Sequence, residues 1–203
     1  IILGLLALNA GLIRQRLFVA LVIVALVTSM MSGPAMRCIL RSIRKRRLHD
    51  FLSPKLFLRE LQAGSPRAAI RELAERACDA AGLNVEAVDA AVWAREEAMS
   101  TGIGNGVAMP HARVDNLTSP VVAVGISQAG IDFDAPDDKL ANVIFLVLSP
   151  SGSAGAHLEI ASEIARLFHD PHLLDQTLRL NKYTDFLALI KNAIVEKDLQ
   201  HTQ

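Results

Sequence analysis

Residues 17–36 form an uncharged apolar stretch, LFVALVIVALVTSMMSGPAM, which constrains this chain more than any other feature. A helix needs about 20 such residues to cross the hydrocarbon core of a bilayer. The stretch lacks the polar face of a helix on a globular surface. We therefore predict one complete transmembrane helix. Residue 1 is Ile, so we expect a C-terminal fragment of a longer protein, with apolar residues 1–13 as the truncated end of a preceding span.

A basic run, RCILRSIRKRR, follows the apolar stretch directly at residues 37–47. Loops rich in Lys and Arg stay on the cytoplasmic side, so we predict a cell (inner) membrane location with everything after residue 36 in the cytoplasm. A secretory signal peptide would carry its basic residues before the apolar stretch. The run has no interleaved aromatic residues, and attraction to anionic lipid heads explains it without a nucleic-acid partner. Residues 1–36 are predicted as a membrane segment and residues 37–51 as a basic cytoplasmic linker.

The charge of the chain is divided between two regions, although its formal net charge is zero. Residues 1–49 hold eight of the 21 basic residues and none of the 21 acidic ones, so they carry +8 and the rest carries −8. Such asymmetry indicates two physical environments. Cys38 and Cys78 would both face a reducing compartment, where a disulfide is not expected.

The membrane segment resembles a known family. LNAGLIRQRLFVALVIVALVTSMMSGPAM is similar to the last two spans of large bacterial monovalent cation:proton antiporters, whose closing helix often ends in Ala-Leu-Val-Thr and then Gly-Pro. In that family the ion-binding acidic residues lie in earlier spans. Residues 1–49 contain no Asp or Glu, so any transport chemistry lies outside this chain.

Residues 52–195 are predicted to form a soluble α/β domain, followed by a tail at residues 196–203. Ser65 and Pro66 start one helix, which Gly82 ends, and Asn84 caps a second. The β-branched runs 121–127 and 142–149 indicate buried strands. Helical spacing returns from Gly155, and further helices are expected after Pro171 and near Tyr183. We therefore predict an α/β fold with a mixed β-sheet flanked by helices, preceded by one complete and one truncated transmembrane helix.

The stretch TGIGNGVAMPHAR, residues 101–113, combines a glycine run with a histidine. Its spacing fits neither the dinucleotide fingerprint nor the P-loop. Glycines permit close backbone approach to a small anion, so Gly104, Asn105 and Gly106 are predicted to bind phosphate through their amides. A neutral imidazole is a usable nucleophile where its other nitrogen is held by a hydrogen bond, which makes His111 a candidate nucleophile. On spacing alone, a single histidine in a loop is more often an ordinary surface residue.

Three motifs together resemble the EIIA domain, fructose/mannitol type, of the bacterial phosphoenolpyruvate-dependent sugar phosphotransferase system. They are AREEAMSTGIGNGVAMPHARV, GIDFDAPDDKLANVIFLVLSP and AHLEIASEIARLF. The resemblance implies a mixed sheet flanked by helices, and a phosphocarrier rather than a stand-alone enzyme. It implies that His111 accepts a phosphoryl group from the phosphocarrier protein HPr, with Arg95 and His157 as partners in the site. No cofactor is implied.

Electrostatics is consistent with these roles. The loose transition state of phosphoryl transfer spreads negative charge, which Arg95 and His157 would stabilise with charged or hydrogen-bonding donors. No metal site is predicted. The acidic residues Asp132, Asp134, Asp137 and Asp138 lack EF-hand spacing, and we expect them to form a solvated turn, as part of a negative rim facing HPr. His169, His172 and His201 show no metal-ligand spacing and are expected at the surface.

Three functions remain open at this stage. The domain regulates an attached cation:proton antiporter through phosphorylation of His111, or it passes phosphate from HPr to an EIIB domain of a sugar permease. In the third case it is a binding module that acts on partners through its phosphorylation state. The expected partners are HPr, an EIIB domain in the second case, and the lipid membrane.

Overall fold

The computed structural model of the protein describes residues 6, 9–12, 14–42, 46–152 and 154–200, with the side chains of 32–42, 154, 156 and 200 left out. The chain divides into two compact units, Ile1–Arg46 and Arg47–Gln203.

The first unit contains helix α1, Gln15–Ser42. Large apolar side chains along it are exposed, including Leu17, Ile23 and Met30. Within the described residues, no helix meets the length and hydropathy required of a membrane span. The transmembrane helix at 17–36 thus stays a prediction, and its side chains 32–36 lie outside the described residues. Parts of the predicted truncated span 1–13 and residues 43–45 of the predicted linker also lie outside them.

The second unit alternates helices and strands. In chain order these are α2 (Leu48–Phe51), a 3₁₀ turn (Pro54–Leu56), β1 (Phe57–Leu58), α3 (Pro66–Ala81), α4 (Val85–Ala98), β2 (Gly102–Gly104), β3 (Val107–Ala108), β4 (His111–Val114), β5 (Val121–Ile131), β6 (Ala141–Pro150), α5 (Ala154–Phe168), α6 (Pro171–Arg179) and α7 (Tyr183–Gln200).

The strands form one mixed sheet in the order β1-β5-β6-β3-β2, with β4 also paired to β6. β5 and β6 run antiparallel at the centre of the sheet. On the side of β6 away from β5, β3 and then β4 pair with successive parts of β6, both in the parallel direction. This is the mixed sheet that the sequence predicts. β5 extends beyond the predicted 121–127 as far as Ile131, with a register shift between Ile126 and Ile131.

Side chains alternate between the two faces of the sheet, and each face packs against its own helices. On β6, Ile144, Leu146 and Leu148 pack with α3 and α4 in one core. Val143, Phe145 and Val147 face the other way and pack with α5, α6 and α7. A residue on a neighbouring strand can therefore be assigned to a helical layer from its register.

The predicted start and end of helix α3 are both confirmed. The Ser65 side chain accepts a hydrogen bond from the backbone N–H of Ala68 at 3.3 Å, which satisfies one of the free amides of the first turn. Gly82 ends the helix in the left-handed conformation at φ 67°, where a side chain would be unfavourable.

The second unit includes residues 47–51, which the sequence assigns to the linker. Leu48 is fully buried, and its backbone N–H donates to the Glu163 carboxylate on α5. Arg47 forms ion pairs with Glu163 and with Asp198 on α7. The second compact unit thus begins at Arg47, before the predicted domain start at residue 52, because the burial of Leu48 and the ion pairs of Arg47 attach this short segment to two helices.

Candidate functional site

The register of β4 decides which way His111 points. His111 is paired with Val147 of β6, whose side chain lies in the core beside α5, and Ala112 is paired with Leu148 in the opposite core. Paired residues in a sheet project to the same face, so the His111 imidazole projects towards the layer of α5, α6 and α7.

His157 lies in the first turns of α5, on that same side. Its ring and the ring of His111 have centroids 4.4 Å apart, tilted by 34°. Both side chains are half-buried. The structure thus brings together the two histidines that the sequence singles out.

A backbone hydrogen bond fixes the ring of His111. Its Nδ1 lies 3.1 Å from the carbonyl oxygen of Met109, two residues earlier along the chain. A carbonyl oxygen only accepts, so Nδ1 carries the proton and Nε2 keeps its lone pair. The intervening Pro110 restricts the backbone and helps to hold this carbonyl in place. A nucleophilic histidine requires this arrangement, in which its other ring nitrogen is held by a hydrogen bond.

The surroundings favour the neutral form of both rings. Burial lowers the pKa of His111 below its ordinary value, and the charges of Arg95 and Arg113 lower it further. The hydrogen bond to Met109 and the charge of Glu96 act in the opposite direction. Burial also lowers the pKa of His157, with contributions from His111, Arg113 and Arg95. An uncharged His111 at neutral pH has a lone pair available for attack.

Arg95 lies in the last turn of α4, which packs in the other helical layer. Its side chain is half-buried, and its Nη2 contacts the Met99 sulfur at 3.7 Å. Within the described residues no ion pair engages its guanidinium. Its positive charge lowers the pKa of both imidazoles, after the larger effect of burial.

The glycine run does not surround this pair. Val107 is paired with Val143 and His111 with Val147, so the Asn105–Gly106 turn before Val107 is at least about 13 Å from His111 along the sheet. The Asn105 N–H donates to the Asp137 carboxylate at 2.8 Å. The structure therefore does not bring Gly104, Asn105 and Gly106, which were predicted to bind phosphate, together with the histidine pair, and Asp137 already engages the Asn105 amide.

These residues instead make a β-hairpin between β2 and β3. Asn105 and Gly106 have φ values of 52° and 74°, which is the pattern of a two-residue type I′ turn. A Cβ on Gly106 would lie 2.5 Å from the Leu174 side chain of α6. Glycine is needed here for a tight turn and a close approach, and Asn-Gly is a strong sequence signal for such a turn.

The model of the family "Phosphoenolpyruvate-dependent sugar phosphotransferase system, EIIA 2" matches residues 50–193. The chain belongs to this EIIA family. Its sequence relatives include a nitrogen regulatory protein of Bradyrhizobium diazoefficiens, 33% identical over 60% of this chain and 79% of that protein. They also include a fructose-specific EIIA component of Haloferax volcanii, 42% identical over 50% of this chain and 68% of that protein.

A solved structure supports the same assignment. The nitrogen regulatory protein IIA-Ntr of Neisseria meningitidis is 26% identical, with a TM-score of 0.67 over 70% of this chain and 98% of that chain. The EIIA domain of the present chain therefore has the fold of this family as well as its sequence.

Glu96 and Arg113 influence the pKa of His111 but are not among the predicted site residues. The Glu96 carboxylate accepts hydrogen bonds from the backbone N–H of Thr101 at 3.0 Å and from the Thr101 hydroxyl, which closes the loop between α4 and β2. Arg113 follows His111 by two residues on β4, and alternation along the strand places both on one face. Residues 111–114 were not predicted as a strand, so this relationship was not found from the sequence.

The remaining predicted surface residues lie away from the histidine pair. His169 and His172 are exposed, and His201 lies outside the described residues. Asp134 and Asp138 are exposed with positive φ values, as in a solvated turn. In the part of the chain that the structure describes, no group of three or more acidic, histidine or cysteine residues could hold a metal ion.

Proposed function

We propose that this EIIA domain accepts a phosphoryl group on Nε2 of His111 from the phosphocarrier HPr. The observation that carries the proposal is the His111–His157 pair, in which the Met109 carbonyl holds the His111 Nδ1–H and leaves Nε2 unprotonated. Arg95 adds a permanent positive charge that lowers the pKa of both rings.

The proposed transfer exchanges one phosphorus–nitrogen bond for another. The Nε2 lone pair of His111 forms a bond to phosphorus while the bond to the donor histidine of HPr breaks, and its electron pair returns to that imidazole. His157 donates a hydrogen bond to a phosphoryl oxygen, and Arg95 offers two parallel N–H donors. Catalysis of this kind rests on position and electrostatics, and the domain acts as a phosphocarrier rather than a stand-alone enzyme.

Regulation of a membrane transporter is the preferred biological role. Nitrogen regulatory proteins are among the relatives, and the uncharged residues 17–36 with the basic run after them have the pattern of a membrane helix with a cytoplasmic flank. We infer a cytoplasmic EIIA domain tethered to the inner membrane behind the last spans of a cation:proton antiporter. Phosphorylation of His111 would then report the state of the phosphotransferase system to ion transport.

Sugar transport is the second candidate, favoured by the fructose-specific relative at 42% identity. In that case phosphate passes from His111 to an EIIB domain. Adding purified EIIB to the phosphorylated chain separates the two roles: rapid loss of label to EIIB supports sugar transport. Regulation is supported if the label stays on the chain. It also requires that cation efflux by the parent protein differs between wild type and His111→Ala.

The acceptor itself is tested by incubating the full chain with phosphoenolpyruvate, enzyme I and HPr. We expect an acid-labile phosphate on the wild-type chain and none on His111→Ala. His169→Ala is the matched control, because His169 is an exposed histidine away from the pair and its loss should leave labelling intact. Equal labelling of His111→Ala and wild type would overturn the assignment.

A further inference from the structure

We propose that Arg113 is a second phosphate-binding cation of this site, contacting the phosphoryl group from the solvent side. This inference rests on the proposed function and adds a residue to it. The family resemblance implies roles for His111, Arg95 and His157 only, and Arg113 has no predicted role.

Strand geometry places Arg113 beside His111. The two residues are separated by one position on β4, so their side chains project to the same face with their Cα atoms about 7 Å apart. The residue between them, Ala112, is buried in the opposite core. An extended arginine side chain spans that separation, which puts the guanidinium within reach of a group on Nε2 of His111.

The pairing of β4 with β6 places Arg113 near the start of α5. Arg113 is paired with Ser149, and β6 ends one residue later, shortly before α5 begins. His157 lies in the first turns of that helix. Arg113 therefore lies on the His111 side of the sheet, near the end of α5 that bears His157.

The electrostatics of the two histidines agree with this placement. Arg113 lowers the pKa of His111 and of His157, after the larger effect of burial, and Arg95 acts on the same two rings. The charges of two guanidinium groups thus act on the same pair of imidazole rings. A phosphohistidine carries close to two negative charges at neutral pH, which two cations would balance.

Several other arginines of the second unit form ion pairs with buried carboxylates. Arg67 and Arg71 contact the buried Asp89, and Arg47 and Arg166 contact Glu163. Within the described residues, Arg113 makes neither an ion pair nor a side-chain hydrogen bond, and its side chain is exposed. It is thus available to a ligand. Arg95, by contrast, is half-buried.

The test compares Arg113→Gln with Arg76→Gln in the full chain. Arg76 is an exposed arginine on α3 without a described ion pair, so its replacement removes the same charge far from the histidines. We expect Arg113→Gln to slow transfer from phospho-HPr about tenfold, less than the ~100-fold typical of a buried donor because Arg113 is exposed. Arg76→Gln should transfer at the wild-type rate. Arg113→Lys, which keeps the charge, should recover part of the rate.

A second readout separates phosphate contact from HPr docking. The phosphorus resonance of the phosphorylated chain is followed against pH, and loss of a cation in contact with the phosphoryl group raises the pH at which its second proton dissociates. Arg113→Gln should show this rise and Arg76→Gln should not. A slower transfer without the rise would assign Arg113 to HPr docking and overturn the proposal.

Wild-type rate and titration in Arg113→Gln would also overturn it, while leaving His111 as acceptor. A wild-type chain that takes no phosphate at all would remove the proposed function and Arg113's role together. The two failures are therefore distinguishable in one set of measurements.

Discussion

The imidazole rings of His111 and His157 lie with their centroids 4.4 Å apart, one on a strand and the other on the helix packed over it. Burial lowers the pKa of both rings, so both are neutral near pH 7 in the unphosphorylated domain. Under the proposed function, His111 accepts a phosphoryl group and His157 responds to its charge.

Phosphorylation of His111 is expected to raise the pKa of His157. The phosphoryl group places close to two negative charges beside His157, and a neighbouring negative charge favours the imidazolium form. The domain would take up a proton as it takes up phosphate. Titration of the His157 ring resonances by NMR, before and after phosphorylation, measures the change. An unchanged or lower pKa in the phosphorylated form would show that the phosphate does not face His157.

Replacing Arg95 with Gln is expected to slow transfer from phospho-HPr by about 100-fold, the usual effect of losing one aligned donor to developing charge. The melting temperature should change little, because no ion pair within the described residues depends on Arg95. Rapid-quench kinetics and a thermal melt check the two parts. A wild-type transfer rate combined with a lowered melting temperature would make Arg95 a structural residue.

Replacing Gly106 with Ala is expected to destabilise the domain by about 2 kcal/mol, because alanine is strained at positive φ and its Cβ would clash with Leu174. Phosphorylation under native conditions should stay at the wild-type level, since the turn is remote from His111. Gly64→Ala is the control, with open space around the added methyl group. Normal stability with lost phosphorylation would instead restore the glycine run as a phosphate site.

The stability of the unphosphorylated domain is expected to fall as the pH drops below about 6.5, the ordinary pKa of histidine. Because the folded-state pKa values of His111 and His157 are lowered, the folded state binds fewer protons than the unfolded state in that window. The free energy of unfolding therefore rises with pH there. Urea unfolding at several pH values measures the slope, which His157→Gln should reduce. An identical slope in that variant would be inconsistent with a depressed pKa.

Much of the fold could be predicted because local signals and tertiary packing agree. Ser65, Pro66 and Gly82 mark the ends of α3, and β-branched runs mark the two central strands. Only the family resemblance paired His111 with His157. Their separation in the sequence does not indicate that a strand and a helix bring the two rings to a centroid distance of 4.4 Å.

The structure differs from the sequence-based expectation where one local pattern is compatible with two structures. Glycines that permit an anion cradle also permit a type I′ turn, and the Asn105-Gly106 dipeptide favoured the turn. Leu48 follows a basic run and was grouped with it, although it is fully buried by contacts with helices distant in sequence. Arg113 depended on strand register, which the sequence of β4 alone does not reveal.

The central claim is that Nε2 of His111 receives the phosphoryl group, and the position of the phosphorus–nitrogen bond tests it most directly. The full chain, labelled with ¹⁵N in its histidine rings, is phosphorylated through HPr, and phosphorus–nitrogen couplings identify the bonded atom. We expect the coupling at Nε2 of His111, with Nδ1 still protonated and bonded to the Met109 carbonyl. A phosphate on Nδ1 of His111, or on His157, would contradict the account.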